Sequence, residues 1–279
     1  MSYDILPAAA TDERLEHYSS LLNETFETDQ FSLAYLRWQY RDNPHGEVVG
    51  ADAFTDRGEL AAHYATIPVS YLIDGNIVPG VLSLNTATHP AHQGKGLFTQ
   101  LASATYATAA ERGYEFVVGV ANQHSTHGFV KRLDFRLVAP LDVRIGVGGM
   151  RRTMQGNGRL ASVWSDAALA WRLARPGARY ESRGAWVYAA DERLGIRPAL
   201  AHMAVDGPAS VAARRTPIPL RMWIGLDAVP PTRGLFAPLP QRLRPSPLNL
   251  ILRDLGEHRH TRDIDAADIR FGLIDFDAY

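Results

Sequence analysis

Two glycines separated by one lysine stand directly before an apolar helical pattern, in the stretch THPAHQGKGLFTQLA from Thr88 to Ala102. Glycine adopts a left-handed backbone without strain, and it lets a ligand approach the main chain closely. The N–H groups in the first turn of a helix have no partner inside the helix, and they lie at the positive end of its dipole. The backbone from Gln93 to Phe98 is therefore predicted to bind a phosphate or another anion.

Two common nucleotide-binding patterns do not fit this stretch. It lacks the Gly-x-x-x-x-Gly-Lys-Ser/Thr of a phosphate-binding loop. It also lacks the third glycine and the strand-helix-strand setting of a dinucleotide-binding fold. The remaining explanations are an anion site of another kind and a tight strand-to-helix turn that binds nothing.

Composition narrows the class of protein and of partner. With 279 residues, 46% of them hydrophobic and 21% charged, the chain is typical of a globular protein with one large domain or two small ones. A formal net charge of -1 argues against nucleic acid or a polybasic membrane anchor as the partner. The absence of cysteine excludes disulfides, Cys-ligated zinc and a thiol nucleophile. Because no secretory pattern opens the chain and no apolar run reaches the ~18 residues of a membrane helix, a cytoplasmic location is expected.

Apolar spacing predicts helices followed by strands in the first half of the chain. Thr11 is the expected cap of a helix that reaches Phe26, and a second short helix is expected from Phe31 to Tyr40. Short β-type runs separated by turn residues then indicate an antiparallel meander. The predicted strands are Val48 to Thr55, Leu60 to Ile67, Val69 to Ile73 and Val78 to Thr88. The elements expected after the glycines are a helix from Leu97 to Arg112, a buried strand from Tyr114 to Ala121, a helix from Ser125 to Leu133 and a strand from Phe135 to Ile145.

The pattern predicts a mixed α+β fold with a central, mostly antiparallel sheet flanked by helices, in two parts. The first domain spans residues 1–146, a glycine-rich linker spans 147–158, and a second domain spans 159–279. The elements expected in the second part are a helix from Leu160 to Ala174 and strands at Ala185 to Ala190, Leu220 to Leu226, Leu248 to Leu252 and Phe271 to Phe276. Trp38 and Trp171 each stand in a helical segment shortly before a proline and a strand, which indicates either a duplication or a chance similarity.

The glycine stretch resembles a signature of the GNAT superfamily of acyl-CoA N-acyltransferases. Their pyrophosphate-binding loop has the form Gln/Arg-x-x-Gly-x-Gly/Ala, and residues Ala91 to Gly96 follow it except at Ala91. The stretch NQHSTHGFVKRLDF, from Asn122 to Phe135, is similar to the family's second signature, with Asp134 in place of a glycine. The resemblance covers residues 1 to about 146, and it implies that the second half is a degenerate GNAT-like unit without its own glycine cradle.

The resemblance implies that acetyl-CoA or another acyl-CoA is the co-substrate and that no metal is needed. In this family the fourth strand, here Val81 to Thr88, bulges away from the fifth, and pantetheine lies in the gap. The residues that this comparison assigns to CoA binding are Thr86, Ala87, Thr88, Gln93, Gly94, Lys95, Gly96, Leu97, Phe98 and Asn122. The two histidines His258 and His260 stand among charged residues, and a wet loop is a better explanation for them than a metal site.

The resemblance also implies direct attack of an amine on the bound thioester, without a covalent intermediate. Many family members protonate the leaving thiolate with a tyrosine, but Phe129 or Val130 stands at the aligned position. Candidate replacements are Ser125, His124 and His127, for which the alternatives are a helix cap and solvated loop residues.

His63 is the first candidate for the general base because histidine titrates near working pH, and its alternative is a hydrogen-bonded core histidine. Asn85 is expected to orient the amine or a water molecule, or only to bind pantetheine. Trp38 and Tyr64 are candidate walls of an acceptor site, since sugars and bases stack on aromatic rings, but core packing explains them as well.

The acceptor is the least specified part of the prediction. Similarity to two-part GNAT enzymes favours the amine of a nucleotide-linked amino sugar, with the second half shaping the acceptor pocket and a homodimer as an open alternative to a monomer. An aminoglycoside or polyamine is the second hypothesis, because Glu24, Glu27 and Asp29 cluster in the sequence. A non-catalytic acyl-CoA sensor is the third hypothesis, which the missing tyrosine permits.

Overall fold

The computed structural model describes residues 2–150, 158–183, 186–190, 196–202, 220–244 and 246–276. The α-helices are α1 Asp12–Phe26, α2 Leu33–Tyr40, α3 Leu97–Glu111, α4 Gln123–Arg132 and α5 Asp166–Leu173. The strands of the first half are β1 Tyr3–Pro7, β2 Val49–Thr55, β3 Leu60–Ile73, β4 Asn76–Thr88, β5 Phe116–Ala121, β6 Arg136–Pro140 and β7 Asp142–Met150. Those of the second half are β8 Leu160–Ser162, β9 Tyr180–Arg183, β10 Trp186–Ala189, β11 Ile196–His202, β12 Leu220–Leu226, β13 Thr232–Pro238, β14 Asn249–Asp254 and β15 Ile269–Gly272. None of the described helices is long and apolar enough to span a membrane.

The strands of the described residues form one continuous sheet through both halves of the chain. Its main path runs in the order β6-β14-β5-β4-β3-β8-β15-β12-β11-β10-β9. The predicted meander is confirmed, because β2, β3 and β4 pair antiparallel in chain order. Strand β14 of the second half lies between β5 and β6, antiparallel to both. The second half therefore completes the sheet of the first.

Two hydrophobic cores lie on the sheet and position the site between them. Side chains of α1 and α2, such as Leu22 and Leu36, belong to one core, in which Leu82 and Leu250 are also buried. Side chains of α3 and α4, such as Leu101 and Phe129, belong to the other core. Burial of these apolar faces is the main stabilising contribution, because isolated helices of this length are marginal in water.

Strand β3 is longer than the sequence pattern predicts. The two runs expected on either side of Pro68 form one strand of 14 residues. Pairing of β3 with β2 reaches Thr66, and pairing with β8 begins at Tyr71. Pro68 lies between these two neighbours on that side of β3. The N–H that proline lacks is therefore not needed for strand pairing there.

The expected linker begins inside a strand. Strand β7 runs to Met150 and pairs antiparallel with β12 and β13, whereas residues 151–157 lie outside the described part of the chain. A Cβ added at Gly146 would collide with the carbonyl of Leu235, and one at Gly148 with that of Arg233. These glycines therefore allow close strand approach, and glycine content alone does not distinguish that role from a linker.

Three other element boundaries differ from the prediction. The run from Phe135 to Ile145 divides at Leu141 into β6 and β7, and the helix expected from Leu160 begins only at Asp166, after β8. The last predicted strand ends at Gly272, where a short 3₁₀ turn follows. The start of the strand expected at Ala185 lies outside the described residues.

The two tryptophans of the sequence echo contact each other. Ser32 caps α2 and Ser165 caps α5 through the same kind of side-chain bond, to Tyr35 N and Ala168 N. The Trp38 indole N–H donates to the Trp171 carbonyl at 2.6 Å, and the Trp171 indole donates to the Trp38 carbonyl at 2.7 Å. The rings stack with centroids 5.0 Å apart. This reciprocal contact supports the duplication, because equivalent residues meet as they do across a two-fold axis.

Replacing Trp38 or Trp171 by Phe is expected to lower the free energy of unfolding by about 1–3 kcal/mol, because each change removes a donor to a partly buried carbonyl. Urea unfolding of the two single variants and the double variant measures this cost and the coupling between the rings. Trp223→Phe is the control, since it makes the same change at a buried tryptophan outside the pair. A cost no greater than that of the control would contradict the proposed role of the paired indoles.

Candidate active site

The parallel strands β4 and β5 separate halfway along their length. Their pairing runs from Gly80 opposite Phe116 to Ser83 opposite Gly119 and then stops. On the other side of β4, pairing with β3 shifts register, so that two residues of β4 oppose Tyr64. Asn85 lies in this β-bulge with a left-handed φ of 46°. The bulge bends β4 away from β5, as expected from the resemblance.

Two cavities meet where the strands separate. The first, of about 620 Å³, runs between β4 and the helices α3 and α4, and Thr86, Phe98, Asn122 and Phe129 are among its lining residues. We call this cavity the groove. The second, of about 470 Å³, lies between β4 and the α1–α2 connection. We call it the acceptor cavity. Both are lined by the same five residues at their junction, which are Phe26, Ser83, Leu84, Asn85 and Val120.

The glycine stretch has the left-handed backbone predicted for an anion cradle, and it lies in the sequence between the groove-lining residues Thr88 and Phe98. Gly94 and Gly96 have φ values of 76° and 78°, and an added Cβ would meet no atom within 4 Å at either position. Gly96 is the N-cap of α3 and supplies no side-chain cap to the first turn. The conformation, rather than crowding, requires glycine here, and it leaves the main chain open to an anion.

The other predicted CoA-binding residues occupy different positions around the groove. Thr86, Thr88, Phe98 and Asn122 line it directly. Ala87 and Leu97 are buried and can contribute only backbone groups. Two polar side chains of the cradle have intramolecular partners: Gln93 Nε2 donates to the Thr88 carbonyl at 3.3 Å, and Lys95 Nζ donates to the Tyr3 hydroxyl at 3.0 Å.

The second signature forms the start of α4. Asn122 Oδ1 accepts hydrogen bonds from the N–H groups of His124 and Ser125, and the Ser125 hydroxyl accepts one from Asn122 N at 3.1 Å. Asn122 is therefore the N-cap of α4, and Ser125 is the N3 residue of a capping box rather than the cap that the sequence suggested. Phe129 packs edge-on against Phe98, with ring centroids 5.4 Å apart. His124 is exposed, and it is the only titratable side chain among the described residues that line the groove.

Asn85 ends a buried polar network that runs beneath the acceptor cavity. Asp52 Oδ2 accepts from the Tyr18 hydroxyl at 2.7 Å and from Arg14 Nη1 at 3.1 Å, and Asp52 Oδ1 lies 2.6 Å from His63 Nδ1. His63 Nε2 lies 3.0 Å from the Tyr40 hydroxyl. Asn85 Nδ2 donates to that hydroxyl at 3.0 Å.

The ability of each group to donate or accept determines the direction of these hydrogen bonds. Asp52 is an acceptor, so the fully buried His63 donates Nδ1–H to Asp52 Oδ1. The Tyr40 hydroxyl accepts from Asn85 Nδ2, which leaves its own proton for His63 Nε2. Burial raises the pKa of Tyr40 well above its ordinary value, so its phenol stays protonated and donates to His63. Tyr40 can then only accept from Asn85.

Hydrogen bonds to Tyr40 and Gln39 hold the Asn85 amide in one orientation. Its Nδ2 group donates to the Tyr40 hydroxyl and, at 2.6 Å, to Gln39 Oε1. An amide nitrogen has two donors, and both are used. No described residue donates to Asn85 Oδ1, and Asn85 lines both cavities. One amide carbonyl is therefore available where the cavities meet.

His63 cannot take a proton directly from an acceptor, contrary to the expectation for a general base. The side chain is completely buried, and its ring stacks on Tyr18 at a centroid distance of 4.0 Å. It lies inside the core of α1 and α2 because β3 turns this face of the strand inward. The structure places it behind Tyr40 and Asn85, as part of their support.

Trp38 and Tyr64 do not wall an acceptor site. Trp38 is buried against Trp171, and Tyr64 has no exposed surface. The Tyr64 hydroxyl contacts the Tyr106 hydroxyl and lies 2.8 Å from Ser83 Oγ. Burial raises the pKa of Tyr64 to about 12, so it stays neutral and supports Ser83 from below.

Several residues of the site carry no recognisable local signal. Gln39 and Tyr40 stand in an apolar helical pattern, and Asp52 stands in a buried strand. Phe276 lines the acceptor cavity from near the end of the second half. Only a buried Asp in a strand is unusual enough to have drawn notice, since Asp is almost never fully buried unless it is paired.

Gly94→Val is expected to weaken CoA binding at least tenfold, because a β-branched residue at positive φ distorts the cradle. Gly113→Val is the matched control: its φ is 84°, an added Cβ meets nothing within 4 Å, and it lies at the other end of α3. Calorimetric titration with CoA measures both variants. Equal affinity of Gly94→Val and the control would exclude the cradle as the anion site.

Comparison with known proteins agrees with this geometry. Residues 7–138 match a protein family described as the acetyltransferase (GNAT) domain. None of the curated proteins matches the chain. The matched residues include the cradle, the bulge and the start of α4, which are the features that the resemblance in the sequence rested on.

Solved structures match far more of the chain than the family domain does. A GCN5-related N-acetyltransferase from Anabaena variabilis matches with a TM-score of 0.60 at 12% identity, covering 91% of this chain and 73% of that chain. Eis1 from Mycobacterium abscessus matches with 0.56 at 11%, covering 91% and 74%. The N-myristoyltransferase of Saccharomyces cerevisiae with bound myristoyl-CoA matches with 0.56 at 10%, covering 90% and 82%.

These likenesses show a common fold that extends over both halves. The family match locates the acetyltransferase domain in the first half, and the second half completes its sheet. Residues 7–138 therefore resemble the acetyltransferase (GNAT) domain, and the chain shares the fold of the solved structures that match it.

Proposed function

We propose that the chain transfers a short acyl group, acetyl in the first instance, from acyl-CoA to the primary amine of a small molecule by direct attack. The observation that carries this proposal is the junction of two cavities at Asn85, one leading to the anion cradle and one open on the other side of the sheet. A donor in the groove and an acceptor in the second cavity would meet at the point where β4 and β5 separate. Such positioning supplies much of the rate in a direct transfer.

The residues present fit an acyl-CoA. Its diphosphate would bind the N–H groups of the cradle, and its pantetheine would lie along β4 beyond Ser83, where the strand has no hydrogen-bonded neighbour in β5. An added strand-like ligand pairs with such free backbone groups. Phe98 and Phe129 supply an apolar wall for the pantetheine arm.

The reaction joins the amine nitrogen to the acyl carbon and breaks the carbon–sulfur bond. The Asn85 carbonyl accepts a hydrogen bond from the amine N–H and holds the nitrogen lone pair toward the thioester. An ammonium must first lose a proton to water in the open acceptor cavity. The nitrogen loses a second proton as the amide forms, and the sulfur leaves as a thiolate and takes up one proton. We assign the delivery of that proton to His124, directly or through water, because Ser125 is held in the capping box.

The acceptor hypotheses from the sequence differ in what they require of the cavity. A nucleotide-linked amino sugar needs cationic groups for its diphosphate, and this hypothesis is supported by family resemblance alone. A polyamine or aminoglycoside needs several carboxylates. Phe276, from the second half, lines the acceptor cavity, which supports the proposal that this half shapes the acceptor site. The sensor hypothesis requires tight CoA binding without turnover.

Release of free thiol from acetyl-CoA in the presence of a primary amine is the first test. The chain contains no cysteine, so a thiol-reactive dye gives no background from the protein. Amine-dependent thiol release together with amide formation, detected by mass spectrometry, is the expected result. Binding of CoA without thiol release from acetyl-, butyryl- or myristoyl-CoA, for every amine tried, would instead support the sensor hypothesis.

Asn85→Gly is expected to lower kcat/KM for the amine about ten- to a hundredfold, because it removes a hydrogen bond to a group that carries charge in the reaction. Glycine accepts the left-handed φ of 46°, so the bulge itself is retained. The KM for acetyl-CoA is expected to stay unchanged. Steady-state kinetics with each substrate varied in turn separates the two effects, and unchanged amine kinetics would exclude Asn85 from the reaction.

Tyr40→Phe tests the support of Asn85. It removes the hydroxyl that accepts from Asn85 Nδ2 and keeps the buried ring. We expect the KM for the amine to rise several-fold while the KM for acetyl-CoA is retained, because the amide is free to turn. A merely structural role would lower the unfolding temperature without this difference between the two KM values.

A further inference from the structure

The geometry points to a primary monoamine with an aromatic or aliphatic body as the acceptor. Its amine would bind Asn85 Oδ1, and its body would pack against Phe26, Phe31 and Phe276. This inference rests on the proposed function, and it names the chemical class of the acceptor.

Three phenylalanines, two from the α1–α2 region and one from near the end of the chain, converge on the acceptor cavity. Phe26 ends α1, Phe31 lies in the connection to α2, and Phe276 follows the last 3₁₀ turn. Phe31 and Phe276 are buried, whereas 47% of the Phe26 surface is exposed. The rings of Phe26 and Phe31 lie 5.8 Å apart, and Tyr35 packs edge-on against Phe31 at 5.7 Å. The cavity thus has an aromatic wall that is supported from behind and open in front.

Charge argues against two of the other acceptor classes. No Asp, Glu, Lys or Arg is among the described residues lining this cavity. Within that lining a polyamine or aminoglycoside would find no carboxylate for its additional ammonium groups, and a nucleotide sugar would find no cation for its diphosphate. Glu24 is paired with His89 at 3.1 Å, so it is not the free carboxylate that the polyamine hypothesis expected. Glu27 and Asp29 are exposed next to the cavity, where they attract one ammonium and repel phosphate.

The size of the cavity agrees with a small amine as the acceptor. A volume of about 470 Å³ is within the range of small-molecule pockets. At the inner end, Asn85 Oδ1 is the acceptor without a donor among the described residues. Thr28 and Gln30 are at the outer end, where they tolerate a polar substituent on the body. The phenylalanines would then contact the apolar body, and the amide carbonyl would select the amine.

The test compares amines at saturating acetyl-CoA by thiol release. The panel contains 2-phenylethylamine, cyclohexylmethylamine, ethylamine, spermidine, kanamycin and a UDP-linked amino sugar. We expect kcat/KM for 2-phenylethylamine to exceed that for ethylamine at least tenfold, because burial of the ring adds apolar contact. We expect spermidine, kanamycin and the nucleotide sugar to react no faster than ethylamine.

The variant Phe26→Ala tests the aromatic wall of the acceptor cavity. It is expected to lower kcat/KM for 2-phenylethylamine five- to tenfold more than it lowers that for ethylamine. Ethylamine has no ring that could contact Phe26. Its kcat/KM therefore reports any effect of the substitution on the groove, which Phe26 also lines. Ile77→Ala, at an apolar side chain that is 67% exposed and distant in the sheet, is the surface control.

The outcomes separate this inference from the proposed function. Turnover that favours the polyamine, the aminoglycoside or the nucleotide sugar would overturn the acceptor class and retain the acyltransferase. Equal loss with both amines in Phe26→Ala would overturn the aromatic wall. No thiol release with any amine, alongside CoA binding, would overturn the proposed function and the inference together.

Discussion

The bulge in β4 is the constraint on which the site depends. By adding one residue opposite Tyr64 it ends the pairing with β5 at Ser83, and it places Asn85 in a left-handed conformation that costs about 1 kcal/mol for a residue other than glycine. Hydrogen bonds from Asn85 to Gln39 and Tyr40 offset that cost. A regular strand at this position would close the sheet and leave neither a groove nor a junction between the cavities.

The polar network under Asn85 shows how a buried charge can support a neutral group. Asp52 is fully buried, and desolvation of a carboxylate is tolerated only where donors surround it. Arg14, Tyr18 and His63 supply those donors. The network supports Tyr40, which together with Gln39 accepts from the Asn85 amide nitrogen, so the amide oxygen is left for the cavities. The sequence indicated His63 and Asn85 as separate candidates for the site. The role of general base expected for His63 requires a side chain that the acceptor can reach.

Local signals in the sequence predicted much of the first half and of the cradle. The cap at Thr11, the helical spacing of α3 and the two left-handed glycines each depend on a few neighbouring residues. What could not be predicted depends on contacts between distant segments. Three features depend on a distant partner strand or cavity and have no signal in the local sequence. They are the insertion of β14 between β5 and β6, the close strand approach at the glycines of β7, and the position of Phe276 near β4.

The central claim is that the separated strands hold an acyl-CoA with its sulfur at the junction of the two cavities. A crystal structure with bound CoA tests this most directly. We predict the diphosphate within hydrogen-bond distance of the main chain between Gly94 and Phe98, pantetheine along β4 beyond Ser83, and the sulfur next to Asn85. CoA bound elsewhere, for example against the tryptophan-lined cavity formed by Trp164, Trp186 and Trp223 in the second half, would contradict the account.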